Sequence, residues 1–177
     1  MDEAVAFERT DASDAESLVA LRIAAMRESL ERIGRFDAQR ARDRFLAGFA
    51  PACTWHVVVA GQRVGFLALR EPGDGVDADA DAALLLDHLY VDPRHQGRGI
   101  GGAVLARVCV LADAARRPLK LCALRESDAN RFYARHGFVQ VEQAEWDNHY
   151  RRPPADAAGA PVPLDASMRD AFARGTA

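Results

Sequence analysis

Residues 84–105 read LLLDHLYVDPRHQGRGIGGAVL, and the fold follows from how this stretch is parsed. From Leu84 to Val91 the chain is apolar except for Asp87 and His88, the composition of a central strand covered on both faces. Asp92-Pro93 stops that strand, because proline brings no amide hydrogen to a ladder and favours a turn after aspartate. Gln96, Gly97, Arg98, Gly99, Ile100, Gly101 and Gly102 follow, and then Ala103, Val104, Leu105 and Ala106, which have helical composition. The glycines therefore sit at a helix N-terminus.

A helix N-terminus carries unpaired amide hydrogens and the positive end of the helix dipole. Glycines there remove the side chains that would hold a bulky anion away, and phosphate is the natural guest. The spacing discriminates between the loops that use this device. A P-loop requires lysine and then serine or threonine after its last glycine, whereas Ala103 and Val104 follow Gly102. A dinucleotide fingerprint is matched in letters by Gly97, Gly99 and Gly102. Its context fails, because Asp92 to Gln96 separate strand from glycines and too little chain follows for further βαβ units.

Gln96, Gly99 and Gly101, after a strand ending Leu89-Tyr90-Val91, resemble the acyl-CoA-binding motif Gln/Arg-x-x-Gly-x-Gly/Ala of the GCN5-related N-acetyltransferase (GNAT) superfamily. A second segment, Asn130-Arg131-Phe132-Tyr133 through Gly137-Phe138, is similar to that family's N-x-x-F/Y-Y-x-x-x-G-F signature. The resemblance covers residues 5–152. It implies an α/β fold, a mixed sheet of antiparallel and parallel strands flanked by helices, with the two central strands splayed apart.

The resemblance also implies a reaction: transfer of an acetyl group from acetyl-CoA to a primary amine of a small molecule or protein. Pantetheine is expected against the backbone of Leu89, Tyr90 and Val91, and the pyrophosphate over Gln96, Gly97, Arg98, Gly99, Ile100, Gly101 and Gly102. Asn130 matches a cofactor-bonding position, and Tyr133 the general acid that protonates the departing thiolate. Phe132 is the better candidate for anchoring the helix to the core. Many relatives carry a glutamate base four residues before the Leu-Tyr-Val triplet, where this chain has Leu85. Asp87 and His88 are the remaining base candidates, and simple strand alternation puts them on opposite faces. A non-catalytic acyl-CoA-binding module of the same fold is the alternative reading. Homodimers are common in the family.

Composition sets bounds on the partners. The 177 residues suffice for one domain, and a net charge of −3 does not suit a general nucleic-acid binder. Cys53, Cys109 and Cys122 lie in apolar settings, and neither they nor the histidines have metal-ligand spacing, so no metal is expected. The N-terminus lacks the apolar run of a leader, and no stretch suits a membrane span, so a cytoplasmic protein is expected.

Along the chain, residues 5–9 read as a strand. Ser13 and Glu16 read as a capping box for a first helix ended by Gly34, and Asp37 caps a second. Arg27, Arg32, Arg35, Arg40, Arg42 and Arg44 on this pair read as a solvated face, with a wall for an anionic substrate as the sharper alternative. Residues 54–60 and 64–69 form a hairpin around Gly61-Gln62. The loop 70–81, with Asp74, Asp77, Asp79 and Asp81, reads as solvated, or as a rim attracting a cationic amine. Residues 119–124 form a strand. Ser127 or Asp128 caps a helix closed by Gly137, and two terminal strands end the domain at residue 152. Residues 153–177 are a proline- and alanine-rich tail, with a turn or two of helix at 165–174.

Overall fold

The computed structural model describes residues 4–74, 82–156 and 158–174. Seven strands form one open sheet: β1 (Val5–Arg9), β2 (Thr54–Val59), β3 (Gln62–Arg70), β4 (Leu84–Val91), β5 (Leu119–Leu124), β6 (Val139–Gln143) and β7 (Asp147–Arg152). Their order is β1-β2-β3-β4-β5-β7-β6, and every neighbouring pair is antiparallel except β4 and β5. The mixed sheet expected from the sequence is thus present.

Helices α1 (Ala15–Arg32) and α2 (Ala38–Gly48) cover one face, where Leu18, Val19 and Phe45 pack on Phe66 of β3. The other face carries α3 (Ile100–Ala114), α4 (Ala129–Arg135) and α5 (Ala166–Arg174). The central crossover helix α3 buries Ile100, Val104, Leu105, Val108, Leu111 and Ala112, so its near-continuous apolar sequence reflects burial. Each of its Ile, Val and Leu side chains contributes about 1.5–3 kcal/mol when fully buried.

Two local expectations are corrected. The first capping box lies at Asp11 and Asp14, not at Ser13 and Glu16: Asp11 accepts from the Ser13 amide at 2.7 Å, and Asp14 accepts from the Asp11 amide at 2.9 Å. Carboxylates are the stronger acceptors, so they outcompete the serine hydroxyl for these amides. The hairpin turns at Ala60-Gly61, with β3 starting at Gln62. Asp37 caps α2 as read, accepting from the Arg40 amide at 2.9 Å.

Strand β4 holds one extra residue against β3. Ala68 lies opposite His88 and Leu69 opposite Leu86, which leaves Asp87 as a bulge. The bulge resets the side-chain alternation. Leu84 and Leu86 before it, and Leu89 and Val91 after it, face the α3 core, while His88 and Tyr90 turn toward α1 and α2.

After Pro153 the chain returns to the domain. Phe172 of α5 stacks on Phe7 with centroids 4.5 Å apart and meets Trp55 edge-on at 5.7 Å. Arg107 on α3 donates to the carbonyls of Val5 and Phe172, and Glu71 accepts from Arg117, Arg169 and the Leu164 amide. The segment read from sequence as a tail is therefore docked against β1 and α3.

Candidate active site

The site begins where the sheet comes apart. β4 and β5 pair only at Leu84 with Leu119 and Leu85 with Lys120, and then diverge. The Asp92 amide donates to the Val64 carbonyl on β3 at 2.8 Å. Alternation along β4 then turns the N–H and C=O of Leu89 and Val91 toward the gap and those of Tyr90 toward β3. Gln96 reaches back to donate to the Val91 carbonyl at 2.9 Å, fixing the loop to the strand end. Leu85 sits inside the last paired step, opposite Lys120 and Arg70.

The glycine loop follows directly. Gly97 and Gly99 have φ of 76° and 81°, a conformation that a Cβ would strain, and Gly99 is the N-cap of α3. Among the described residues, no backbone acceptor pairs with the amides of Gly97, Gly99, Ile100, Gly101 and Gly102. Ile100 contributes its amide alone, since its side chain is buried in the core. A Cβ on Gly101 would stand 3.5 Å from the Phe132 ring, and one on Gly102 would stand 3.3 Å from His136 Nε2. These two glycines thus also set the close packing of α3 on α4. The exposed Arg98 lies 3.3 Å from His95 Nδ1 at the loop's rim.

Helix α4 delivers Tyr133. It ends in a Schellman stop, with the Gly137 amide donating to Ala134 at 3.3 Å and the Phe138 amide to Tyr133 at 3.2 Å. Tyr133 is the more buried of the two aromatics, packed on Phe138 and Tyr150, while Phe132 is partly buried against Gly101 and His136. The expected division of labour between them is therefore reversed. The Tyr133 hydroxyl makes no hydrogen bond among the described residues, and burial raises its pKa well above the usual phenol range.

Asn130 is committed within the protein. Its amide donates to the carbonyls of Leu124, Arg125 and Ser127, and its oxygen accepts from Asn148 and from the Tyr150 hydroxyl, both at 2.9 Å. Its side chain clamps the β5–α4 turn to β7. All its hydrogen-bonding capacity is spent there, which is at odds with the cofactor contact expected from the motif.

Asp87 and His88 do not face opposite ways. Through the bulge, His88 Nε2 comes to 3.8 Å from Asp87 Oδ2, and both residues line the same cleft. Asp87 accepts from Arg70 Nε at 2.8 Å, while Arg70 also donates to the Gly48 and Asp74 carbonyls. His88 packs among Phe45, Phe66 and Tyr90, and its Nδ1 is buried with no hydrogen-bond partner. Burial pulls its pKa down to about 4, opposed by Asp87 and reinforced by Arg22, Arg70 and Arg44, so the imidazole is neutral near pH 7.

A cleft of about 740 Å³ joins these parts, lined by Asp87 to Val91, Gln96 and Tyr133. It also takes in Cys122 and His149, to which the sequence reading gave no site role, and four of the six arginines read from sequence as a solvated face or an anion wall. On the β5–β7 register Cys122 lies opposite His149, and its Sγ is 3.2 Å from His149 Nδ1. Arg22, Arg32, Arg35, Arg40 and Arg44 form the α1–α2 wall. Arg27 and Arg42, from the same run of arginines, are spent on Glu31 and Glu16 instead. Arg35 stacks over Trp146, 3.7 Å from the ring centroid, and so links the end of α1 to the β6–β7 turn. Asp77, Asp79 and Asp81 of the acidic loop lie outside the described residues. Among the described residues, no three His, Cys, Asp or Glu side chains gather as a metal site, and no helix is long and apolar enough to cross a membrane.

Known structures resemble this chain in fold. PaiA N-acetyltransferase from Thermoplasma acidophilum, solved in complex with coenzyme A, superposes with a TM-score of 0.65 at 14% identity, covering 84% of this chain and 98% of that one. An acetyltransferase from Thermus thermophilus gives a TM-score of 0.64 at 20% identity, covering 85% of this chain and 97% of that one. A GCN5-related N-acetyltransferase from Rhodopseudomonas palustris gives 0.61 at 20% identity, covering 86% and 98%. No curated protein sequence matches the chain. The model of the acetyltransferase (GNAT) domain matches residues 52–140, half of the 177-residue chain, from the start of β2 through the glycine loop and α4 to β6. By that match the chain belongs to the GNAT acetyltransferase family.

Proposed function

We propose that the protein moves an acetyl group from acetyl-CoA to a primary amine by direct attack in a ternary complex. The observation that carries this reading is the gap itself. β4 and β5 part after two residue pairs, and the cleft there is lined by Tyr133, whose hydroxyl has no partner among the described residues. Pantetheine pairs with the N–H and C=O of Leu89 and the N–H of Val91 as an added strand would, the Val91 carbonyl being held by Gln96. The pyrophosphate takes the amides from Gly97 to Gly102, at the positive end of α3.

The amine lone pair attacks the thioester carbonyl carbon. An amide hydrogen of β4 stabilises the developing oxyanion, a contribution worth roughly 10²–10³ in rate. The C–S bond breaks and Tyr133 donates its proton to the thiolate, leaving CoA as the thiol. A phenol held high by burial stays protonated until then. The attacking nitrogen loses a proton to water in the cleft. Asp87 is engaged by Arg70, and an imidazole at about 4 is too weak a base for an alkylammonium, so neither is the base and His88 shapes the wall of the cleft instead.

The test is CoA thiol release from acetyl-CoA across amino acids, polyamines, aminoglycosides and peptides, alongside calorimetry with CoA. Amine-dependent release together with CoA binding supports the reading. Leu85, apolar where relatives carry a carboxylate, favours a second reading, a non-catalytic acyl-CoA-binding module. That reading predicts CoA binding with no amine-dependent release.

A further inference from the structure

We propose that the acceptor amine carries an oxyanion group, a carboxylate or phosphate, seated between Arg22 and Arg44 on the α1–α2 side of the cleft. The proposal rests on the acyl-transfer reading above and adds the substrate class to it.

Uncommitted positive charge marks this corner. Within the arginine wall, Arg32 pairs with Glu28 at 3.2 Å and Arg40 with Asp37 at 3.9 Å. Arg44 has no ion-pair or hydrogen-bond partner among the described residues. Arg22 gives one N–H to the Ala41 carbonyl at 3.2 Å, and its guanidinium lies 5.9 Å from the Tyr90 ring centroid. Its Nε is shielded from solvent with no acceptor, a rare condition for a guanidinium N–H. The carboxylate on this stretch of β4, Asp87, is taken by Arg70 at 2.8 Å. His88 is neutral and adds no negative charge.

The corner therefore holds two guanidiniums with donors to spare and no free carboxylate on β4 beside them. A guanidinium fork matches the planar geometry of a carboxylate and the oxygens of a phosphate. An oxyanion there takes the remaining terminal N–H groups of the Arg22 guanidinium and gives Arg44 its partner. The His88 and Tyr90 side chains floor this corner, and the β4 backbone beside them is the thioester's rail, so the amine and the oxyanion lie on one small molecule. A polyamine meets like charge instead.

The test compares matched amines at saturating acetyl-CoA: α-amino acids against their carboxamides, phosphoethanolamine against ethanolamine, and spermidine as a cationic control. The oxyanion member of a pair is expected to lead by at least about ten-fold in kcat/KM, and the two oxyanion arms tell carboxylate from phosphate. Arg44→Glu, at an exposed position, is expected to erase that preference through KM while leaving CoA affinity unchanged, and Arg44→Lys to restore part of it. Preference for neutral or cationic amines, or unchanged selectivity in Arg44→Glu, overturns the proposal. So does turnover of neutral or cationic amines with none of any oxyanion amine. Failure of CoA to bind, or CoA binding with no release from any amine, brings down the acyl-transfer reading instead, and calorimetry beside the full amine panel separates the cases.

Discussion

Tyr133 and His88 are the two residues whose surroundings make the sharpest chemical demands. The Tyr133 ring is a core residue while its hydroxyl is idle within the protein, so stability and chemistry separate cleanly at this position. Tyr133→Phe is expected to leave the melting temperature and CoA affinity near those of the parent and to slow acetyl transfer roughly 10²–10⁴-fold. Unchanged turnover removes the general-acid role. His88 predicts a pH dependence of stability. Its folded pKa, about 4, lies below the unfolded value near 6.5, so the unfolded chain binds the proton first as the pH falls. The contribution is intact above about pH 6.5 and is lost progressively down to about pH 4, amounting to at most roughly 3 kcal/mol. Urea titrations of His88→Phe are expected to show a flatter stability profile over that window. An identical slope in both proteins would falsify the assignment.

Among elements, β4 decides the site, and the sequence displays its ends better than its middle. The apolar run and Asp92-Pro93 mark Leu84–Val91 correctly, and the glycines mark the start of α3, because both signals are local. The bulge at Asp87 is invisible in the letters, because Asp-His in an apolar run fits plain alternation equally well and only the pairing with β3 distinguishes the two registers. Asn130 is half legible for a related reason: its motif position and its three bonds to the preceding turn are local, but the other two, from Asn148 and Tyr150, join residues that the fold alone brings near. Gly65, on the neighbouring β3, bears on this element as well. A Cβ there would collide with the Tyr90 carbonyl oxygen, a backbone atom that cannot move aside without shifting β4. Gly65→Ala is expected to cost about 1–3 kcal/mol and to weaken CoA binding by displacing Leu89 and Val91. Parent-like affinity and stability in that variant contradict the role given to the gap. Cys122, exposed on the neighbouring strand, has its pKa raised by partial burial and by Asp147, Asp87 and Glu142. It is expected to alkylate slowly at neutral pH, faster as the pH rises, and to be protected by CoA. Equal labelling with and without CoA places it outside the bound coenzyme's reach.

At the scale of the whole molecule, the family signature spans residues 52–140, but the stability of the domain also depends on its two ends. β1 and α5 close the far edge of the sheet through Phe7, Trp55 and Phe172, with Arg107 across them. The sequence shows Met168 and Phe172 on one side of a short helix but gives no sign of where that side goes. Its receptor is assembled from β1, β2 and α3, far apart in the chain. Phe172→Ala is expected to destabilise the protein by about 3–5 kcal/mol with little change in CoA affinity, as measured by denaturant unfolding and calorimetry. A change below about 1 kcal/mol, at the scale of an exposed side chain, contradicts the docking of α5.

The proposed reaction and the proposed substrate class both require coenzyme binding at one place: diphosphate on the amides at the start of α3, and thioester arm along β4. Glycine amides are well resolved in a ¹⁵N–¹H correlation spectrum, so titrating CoA into labelled protein reads the site directly. The signals of Gly97, Gly99, Gly101 and Gly102 are expected to move together with those of Leu89 and Val91, while Gly34 and Gly61 stay fixed. A spectrum in which those six residues are indifferent to saturating CoA contradicts it.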